Sequence, residues 1–258
     1  MARELEVAVA AAEAAGEVLR SGFGREQTVK YKGEVDLVTE VDERAEAVIG
    51  EMLREAFPGY GMLAEEGGRR QGEGDSRWIV DPLDGTTNYA HGLPIFAVSI
   101  ALERAGEVVL GVVHDPMRGE TYVAERGGGA TLNGEPIRVS ETDEPIRALL
   151  VTGFPYDRAD MRAAVGLFGR LTELTQGVRR LGAAALDLCY VAAGRLDAYY
   201  EKGLHAWDVA AGSLIIKEAG GRITDYRGRE LDLEGREVVA SNGLLHPVLL
   251  EVIGADHD

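Results

Sequence analysis

The sequence predicts a chain in two parts, an α+β half over residues 1–142 and an α/β half over residues 143–258. Three observations carry this. Apolar residues recur at helical spacing through most of the first sixty positions, strand-like runs parted by glycine turns fill the middle, and strand-like and helical segments alternate beyond it.

The elements follow in order. Leu5, Val9, Ala12 and Leu19 repeat at helical spacing over residues 4–19, until Gly22 and Gly24 break the pattern. Thr39-Glu40-Val41-Asp42 resembles a capping box with Asp in place of the usual Glu or Gln, and it opens a second periodic run over residues 40–57, stopped by Pro58. Trp78-Ile79-Val80 and residues 96–102 read as buried strands; residues 107–114 and 120–125 extend them into an antiparallel meander. Asn133-Gly134 marks one more tight turn, and the polar stretch Glu141-Thr142-Asp143-Glu144-Pro145 separates the halves. Beyond it come strand-like Leu149-Leu150-Val151, helices over 158–175 and 183–193, strand-like Ala198-Tyr199-Tyr200 and a helix over 207–219. Gly194 and Gly220-Gly221 stand where helix C-caps belong. No internal repeat, coiled coil or low-complexity segment interrupts this order.

Composition narrows the function classes. With 45% hydrophobic and 28% charged residues the chain reads as an ordinary soluble globular protein. Its 27 basic and 44 acidic residues give a net charge of −17, with no Lys or Arg run, which argues against nucleic-acid or anionic-membrane partners. The first residues lack the apolar stretch of a leader, and no apolar run approaches the roughly 20 residues that span a bilayer; a cytoplasmic location is expected. The single Cys189, among Leu188, Tyr190 and Val191, reads as a buried thiol rather than a nucleophile or disulfide partner.

The informative segment is Trp78-Ile79-Val80-Asp81-Pro82-Leu83-Asp84-Gly85-Thr86-Thr87-Asn88, an apolar strand running into two acids three residues apart and then a Gly-Thr-Thr turn. Pro82 fixes the backbone between Asp81 and Asp84, so both carboxylates and the Leu83 carbonyl can converge on one hard cation. Gly85 permits close backbone approach, and Thr86-Thr87-Asn88 can open a helix whose free N–H groups face an anion. A plainer reading has Asp84 capping a helix and Asp81 ending a strand. Glu65-Glu66 after Met62-Leu63-Ala64, and Trp207-Asp208 at a helix start, weigh against it, because several acids at the ends of apolar segments repel one another unless cations neutralise them. His91, His114, His205 and His246 have no metal-ligand spacing and are assigned no catalytic role.

Taken together these segments resemble the inositol monophosphatase family of magnesium-dependent, lithium-sensitive phosphatases. The resemblance spans essentially the whole chain. It rests on residues 78–88, residues 207–221, Val35-Asp36-Leu37-Val38-Thr39-Glu40-Val41-Asp42, Ala64-Glu65-Glu66, and Asp197-Ala198-Tyr199-Tyr200-Glu201 ahead of His205. It implies a layered αβαβα sandwich of the inositol monophosphatase and fructose-1,6-bisphosphatase type. It also implies two to three Mg²⁺ ions: one on Glu65, Asp81 and the Leu83 carbonyl, a second on Asp81, Asp84 and Asp208, with Glu65 touching a third. Thr86, paired with Asp42, would orient the attacking water, although Asp42 also suits a helix cap. Asp36 and Thr39 would support the metal site. The Gly85 and Thr86 N–H groups would hold phosphate, and Asp84, Glu201 and the backbone of Gly182, Ala183 and Ala184 would read polyol hydroxyls, although Glu201 also suits a solvent-facing acid. Arg179 and Arg180 fit either a second substrate charge or surface ion pairs. Ala64 replaces the family's usual Gly, and Ala183 stands where Ser or Thr is common. The expected substrate is a small phosphate ester, myo-inositol monophosphate first, with fructose 1,6-bisphosphate or a 3′-phosphoadenosine nucleotide as alternatives. A homodimer is expected, and a regulatory binding role on the same fold is the competing class.

Overall fold

The computed structural model describes residues 1–25, 29–31, 37–155 and 158–254. The first half runs α1 (Ala2–Gly22), a ribbon of β1 (Val29–Tyr31) and β2 (Leu37–Thr39), α2 (Glu40–Ala56), β3 (Gly61–Ala64), β4 (Gly68–Arg70), β5 (Ser76–Asp84), α3 (Thr86–Ala90), β6 (Ala97–Arg104), β7 (Glu107–Asp115), β8 (Glu120–Glu125), β9 (Gly129–Leu132) and β10 (Glu135–Pro136). After a 3₁₀ turn over Pro145–Arg147 come β11 (Leu149–Thr152), α4 (Arg158–Leu174), β12 (Gly177–Arg179), α5 (Ala184–Ala192), β13 (Ala198–Lys202), α6 (Ala206–Glu218), β14 (Arg222–Thr224), β15 (Glu237–Ser241) and α7 (His246–Gly254).

Side-chain alternation along each strand sets the layering. In β5, Trp78 and Val80 face the core shared with α1 and α2, while Ile79 faces the opposite side, toward α5 and α6. In β6, Val98, Ile100 and Leu102 take the first face and Ala97 and Ala101 the second. The second face is lined by small residues, so α6 can approach closely: a methyl added at Gly111 of β7 would stand 2.7 Å from the Ala211 carbonyl oxygen. Gly212 does the same for the neighbouring helix, leaving no room between α6 and Leu188 of α5. Helix α6 is therefore buried nearly all round, as a helix held between two sheets must be.

Eight strands form the first sheet in the order β10-β9-β8-β7-β6-β5-β3-β4, antiparallel except where β3 runs parallel to β5. The expected meander is its centre. The second sheet, β12-β11-β13-β15-β14, is parallel at β12-β11-β13 and antiparallel beyond. Layers thus run α1 and α2, first sheet, α5 and α6, second sheet, α4 and α7: the αβαβα sandwich. The central core draws residues from both halves, including Val113, Tyr122, Leu188 and Ile215.

The expected elements stop at residue 219, and the structure adds β14, β15 and α7. A buried histidine ties them together. His246 Nε2 lies 2.9 Å from Thr224 Oγ1 and Nδ1 lies 2.9 Å from Ser241 Oγ, and burial lowers its pKa to about 4. Cys189 is buried, as expected, and no helix among the described residues is long and apolar enough to cross a membrane.

Candidate active site

Strand β5 does not end at Val80, as its apolar run implies, but continues through Asp84 with a register shift between Asp81 and Asp84 against β6. Pro82 sits inside that irregularity, where its missing N–H costs no ladder bond. The bulge re-aims the chain so that Asp81, the Leu83 backbone and Asp84 all reach one cavity of about 570 Å³. Parallel pairing of Ala64 with Val80 carries Glu65 alongside Asp81, and the Glu65 N–H donates to the Val80 carbonyl at 3.2 Å. Asp208 enters from the first turn of α6, where its Oδ2 accepts the His205 N–H at 2.6 Å. Glu201, on β13, closes the opposite side.

Asp84 does cap a helix, though not its own. Its Oδ1 accepts the Ala184 N–H at 3.0 Å and its Oδ2 the Ala185 N–H at 2.8 Å, at the start of α5. Ala183, the N-cap residue, has no side chain able to do so. Asn88 strengthens this junction, its Nδ2 donating to the carbonyls of Ile95 and Leu181, each at 2.8 Å. Gly85 adopts φ +95°, and a methyl there would meet the Ile95 carbonyl oxygen at 2.9 Å. Only glycine fits. Thr86 Oγ1 lies 3.0 Å from the Leu83 carbonyl and 3.3 Å from Asp42 Oδ1, so its one hydroxyl proton serves either acceptor. Asp42 is 1% exposed, and Thr86 links it to the cavity.

Electrostatics set these acids apart from ordinary surface carboxylates. Burial pushes Asp81 well above the usual carboxylate range, and Glu65, Asp84 and Asp208 push it further. Asp84 rises to about 7 through burial, against the pull of the α5 amides. Asp208 is raised by burial and then by Asp84, Glu65 and Glu201, against the His205 N–H. Burial lifts Glu201 to about 7 although Tyr199 Oη donates to its Oε2 at 2.7 Å and Arg180 is nearby. The Glu201 side chain is half-buried on the cavity wall. Such an arrangement is the signature of a site built to receive positive charge.

The donors, carboxylates and a backbone carbonyl with no thiolate or imidazole, suit a hard divalent cation. Among the described residues no three His, Cys, Asp or Glu side chains approach closely enough to enclose an ion unaided. A cation that keeps several of its waters needs no closed protein cage. The residues therefore fit a hydrated Mg²⁺-type ion.

All the expected ligating and substrate-contacting residues line this cavity. Thr39 ends β2 with its side chain outside the described residues, and Asp36 lies wholly outside them. Ala64 lies in β3 without positive φ, so the missing glycine causes no strain. Arg180 lines the cavity whereas Arg179 ends the edge strand β12. Sequence reasoning missed Gly153, Lys202 and Arg236 on the far wall and Asp187 behind it. Asp187, 1% exposed in α5, has both carboxylate oxygens without a hydrogen-bond partner, and burial beside Glu201 and Asp84 raises its pKa well above normal. A lone acid in an Ala/Leu-rich run was the available signal.

A buried acid floor beside a glycine-led helix start defines a metal-dependent phosphatase of the layered αβαβα class. A family model described as the inositol monophosphatase family matches residues 1–256, and the chain belongs to that family, as a phosphate-monoester hydrolase. It is 47% identical over 254 residues to an inositol-1-monophosphatase of Mesorhizobium japonicum, covering 96% of this chain and 95% of the relative. It is 46% identical over 259 residues to the Nus factor SuhB of Pseudomonas aeruginosa, at 96% and 95% coverage. The crystal structure of extragenic suppressor protein suhB from Bartonella henselae superposes with a TM-score of 0.95 at 40% identity, covering 97% of this chain and 98% of that one.

Proposed function

We propose that this chain hydrolyses the phosphate monoester of a small polyol, myo-inositol monophosphate first, with Mg²⁺ as the cofactor. The observation that carries the reading is the placing of Asp84: one carboxylate borders the acid floor, adjoins the Gly85–Thr86 backbone and holds the α5 amides of Ala184 and Ala185. Glu65, Asp81, the Leu83 carbonyl, Asp84 and Asp208 would hold two Mg²⁺ ions, with a third on Glu65. Bound there, the ions supply an acidified water and neutralise charge on the phosphoryl and leaving oxygens.

The chain's own groups do the rest. The Gly85 and Thr86 N–H groups, at the start of α3, receive the phosphate oxygens. Thr86 Oγ1, donating to Asp42 Oδ1, leaves its lone pair to accept a proton of the attacking water and so aligns it with phosphorus. Glu201, held by the Tyr199 hydroxyl, accepts from the substrate hydroxyls, joined by the backbone of Gly182, Ala183 and Ala184. Residues 1–142 supply the acids of the floor apart from Asp208, and residues 143–258 supply the polyol wall. The resemblance further supports a homodimer and inhibition by Li⁺.

Purified protein with Mg²⁺ is expected to release phosphate from inositol 1-phosphate with kcat/KM above that for fructose 1,6-bisphosphate and a 3′-phosphoadenosine nucleotide. No release from inositol 1-phosphate refutes the reading. A bisphosphate is the second candidate, favoured by Arg180, which lines the cavity without an ion pair within 4 Å among the described residues. The competing regulatory role, in line with the Nus factor relative, would show as a cellular phenotype that survives the loss of turnover in Asp84→Asn.

A further inference from the structure

Arg236 is one of three non-glycine residues among the described ones with positive φ, at +60°, and the only one of the three that lines the cavity. An arginine held in the left-handed region needs surroundings that over-determine it. Here they are explicit. The β13–β15 ladder ends at the pair Lys202 and Glu237, and one residue further the Gly203 N–H donates to the Arg236 carbonyl at 2.8 Å. The guanidinium then folds back onto the same turn. Its Nη2 donates to the Gly203 carbonyl at 2.9 Å and its Nε to the Leu204 carbonyl at 3.3 Å. Gly203 faces it with φ +97°, packed so that a methyl there would stand 3.2 Å from Pro155 Cβ.

The turn so gripped is the covalent link between Glu201 and Asp208. His205, its last residue, donates its N–H to Asp208 Oδ2. We propose that Arg236 is a positioning residue for the hydrolysis, a clamp on the turn after β13 that fixes Glu201 relative to the phosphate-binding end and so sets the grip on the hydroxylated leaving group. The proposal rests on the role given to Glu201 above. A planar fork donating to two successive carbonyls is a task for arginine that lysine cannot copy.

The test uses the full chain and two substrates. Arg236→Asn keeps a residue tolerant of positive φ while removing the fork, and Arg236→Gly relieves the backbone altogether. With either, the ratio of kcat/KM for inositol 1-phosphate to that for para-nitrophenyl phosphate, which offers Glu201 no hydroxyl, falls about 10-fold through KM, the para-nitrophenyl phosphate values staying within about two-fold. In a Glu201→Gln background the same substitutions change the ratio by less than about two-fold, because the group they position is gone. Equal losses on both substrates, or an undiminished effect in the Glu201→Gln background, overturn the clamp. A wild-type chain that cleaves para-nitrophenyl phosphate but not inositol 1-phosphate refutes the substrate reading instead, and the clamp with it.

Discussion

Replacing Asp84 by Asn separates the two jobs of that side chain, because they act on stability with opposite signs. In the folded chain the Asp84 carboxyl titrates at about 7 instead of 3.8, chiefly through burial. Its pKa is raised, so the protonated fold is fully stable below pH 3.8, and stability is lost as pH rises toward 7. Three pH units at 1.36 kcal/mol each make the loss about 4 kcal/mol above neutrality. Asn carries no charge and escapes it, but keeps one acceptor where Asp84 offers Ala184 and Ala185 two, which costs about 1–2 kcal/mol. At pH 8 in chelator the variant should therefore be more stable by about 2–3 kcal/mol and melt roughly 5 °C higher. Saturating Mg²⁺ should raise the wild-type melting temperature and move the variant much less. Phosphate release should fall on the order of 10³-fold. The assay is thermal melting at pH 5 and pH 8, with and without Mg²⁺, beside turnover. If Asp84→Asn melts below wild type by the same margin at both pH values, then Asp84 merely caps α5, and the cation-receiving account of the acid floor fails.

Thr86→Ala removes the hydroxyl between Leu83 and Asp42. It is expected to lower kcat by roughly 10²-fold with KM within about three-fold, and a mainly KM effect would speak against water alignment. His246 carries the opposite pH dependence to the acids. Because its folded pKa of about 4 is depressed, stability is intact above 6.5 and falls as pH drops toward 4, by about 2–3 kcal/mol at pH 4.5. His246→Gln should remove that part of the acid sensitivity, and equal losses of unfolding free energy between pH 7.5 and 4.5 in both proteins would contradict it.

What could be read from the sequence was what depends on neighbours along the chain. Trp78-Ile79-Val80 and the meander after it are continuous apolar runs, and Gly85-Thr86 announces a helix start by residue type alone. The motif acids were legible because acids seldom follow buried strands. Hidden were the relations across the fold. Nothing near Asp84 indicates that it caps α5, a hundred residues on, and Pro82 masks the continuation of β5 through a bulge. Arg236 gives no local sign of positive φ, which Gly or Asn would have signalled. Asp187 is submerged in a run that reads as core, and so it is, except for its two orphan oxygens.

The Asn88 amide has an implication for how such a protein changes over generations. By bonding the carbonyls of Ile95 and Leu181 it welds the bank of the cavity beside Gly85 to the bank that begins α5. Substitutions on either bank must be absorbed by the other, which makes both resistant to drift. The opposite shore, at 153–155, 202–204 and 235–237, is held instead by Arg236 on the carbonyls of Gly203 and Leu204 and by Lys202 on Asp160 of α4. New diets for this scaffold should therefore arise there, with the hydrolytic floor inherited unaltered.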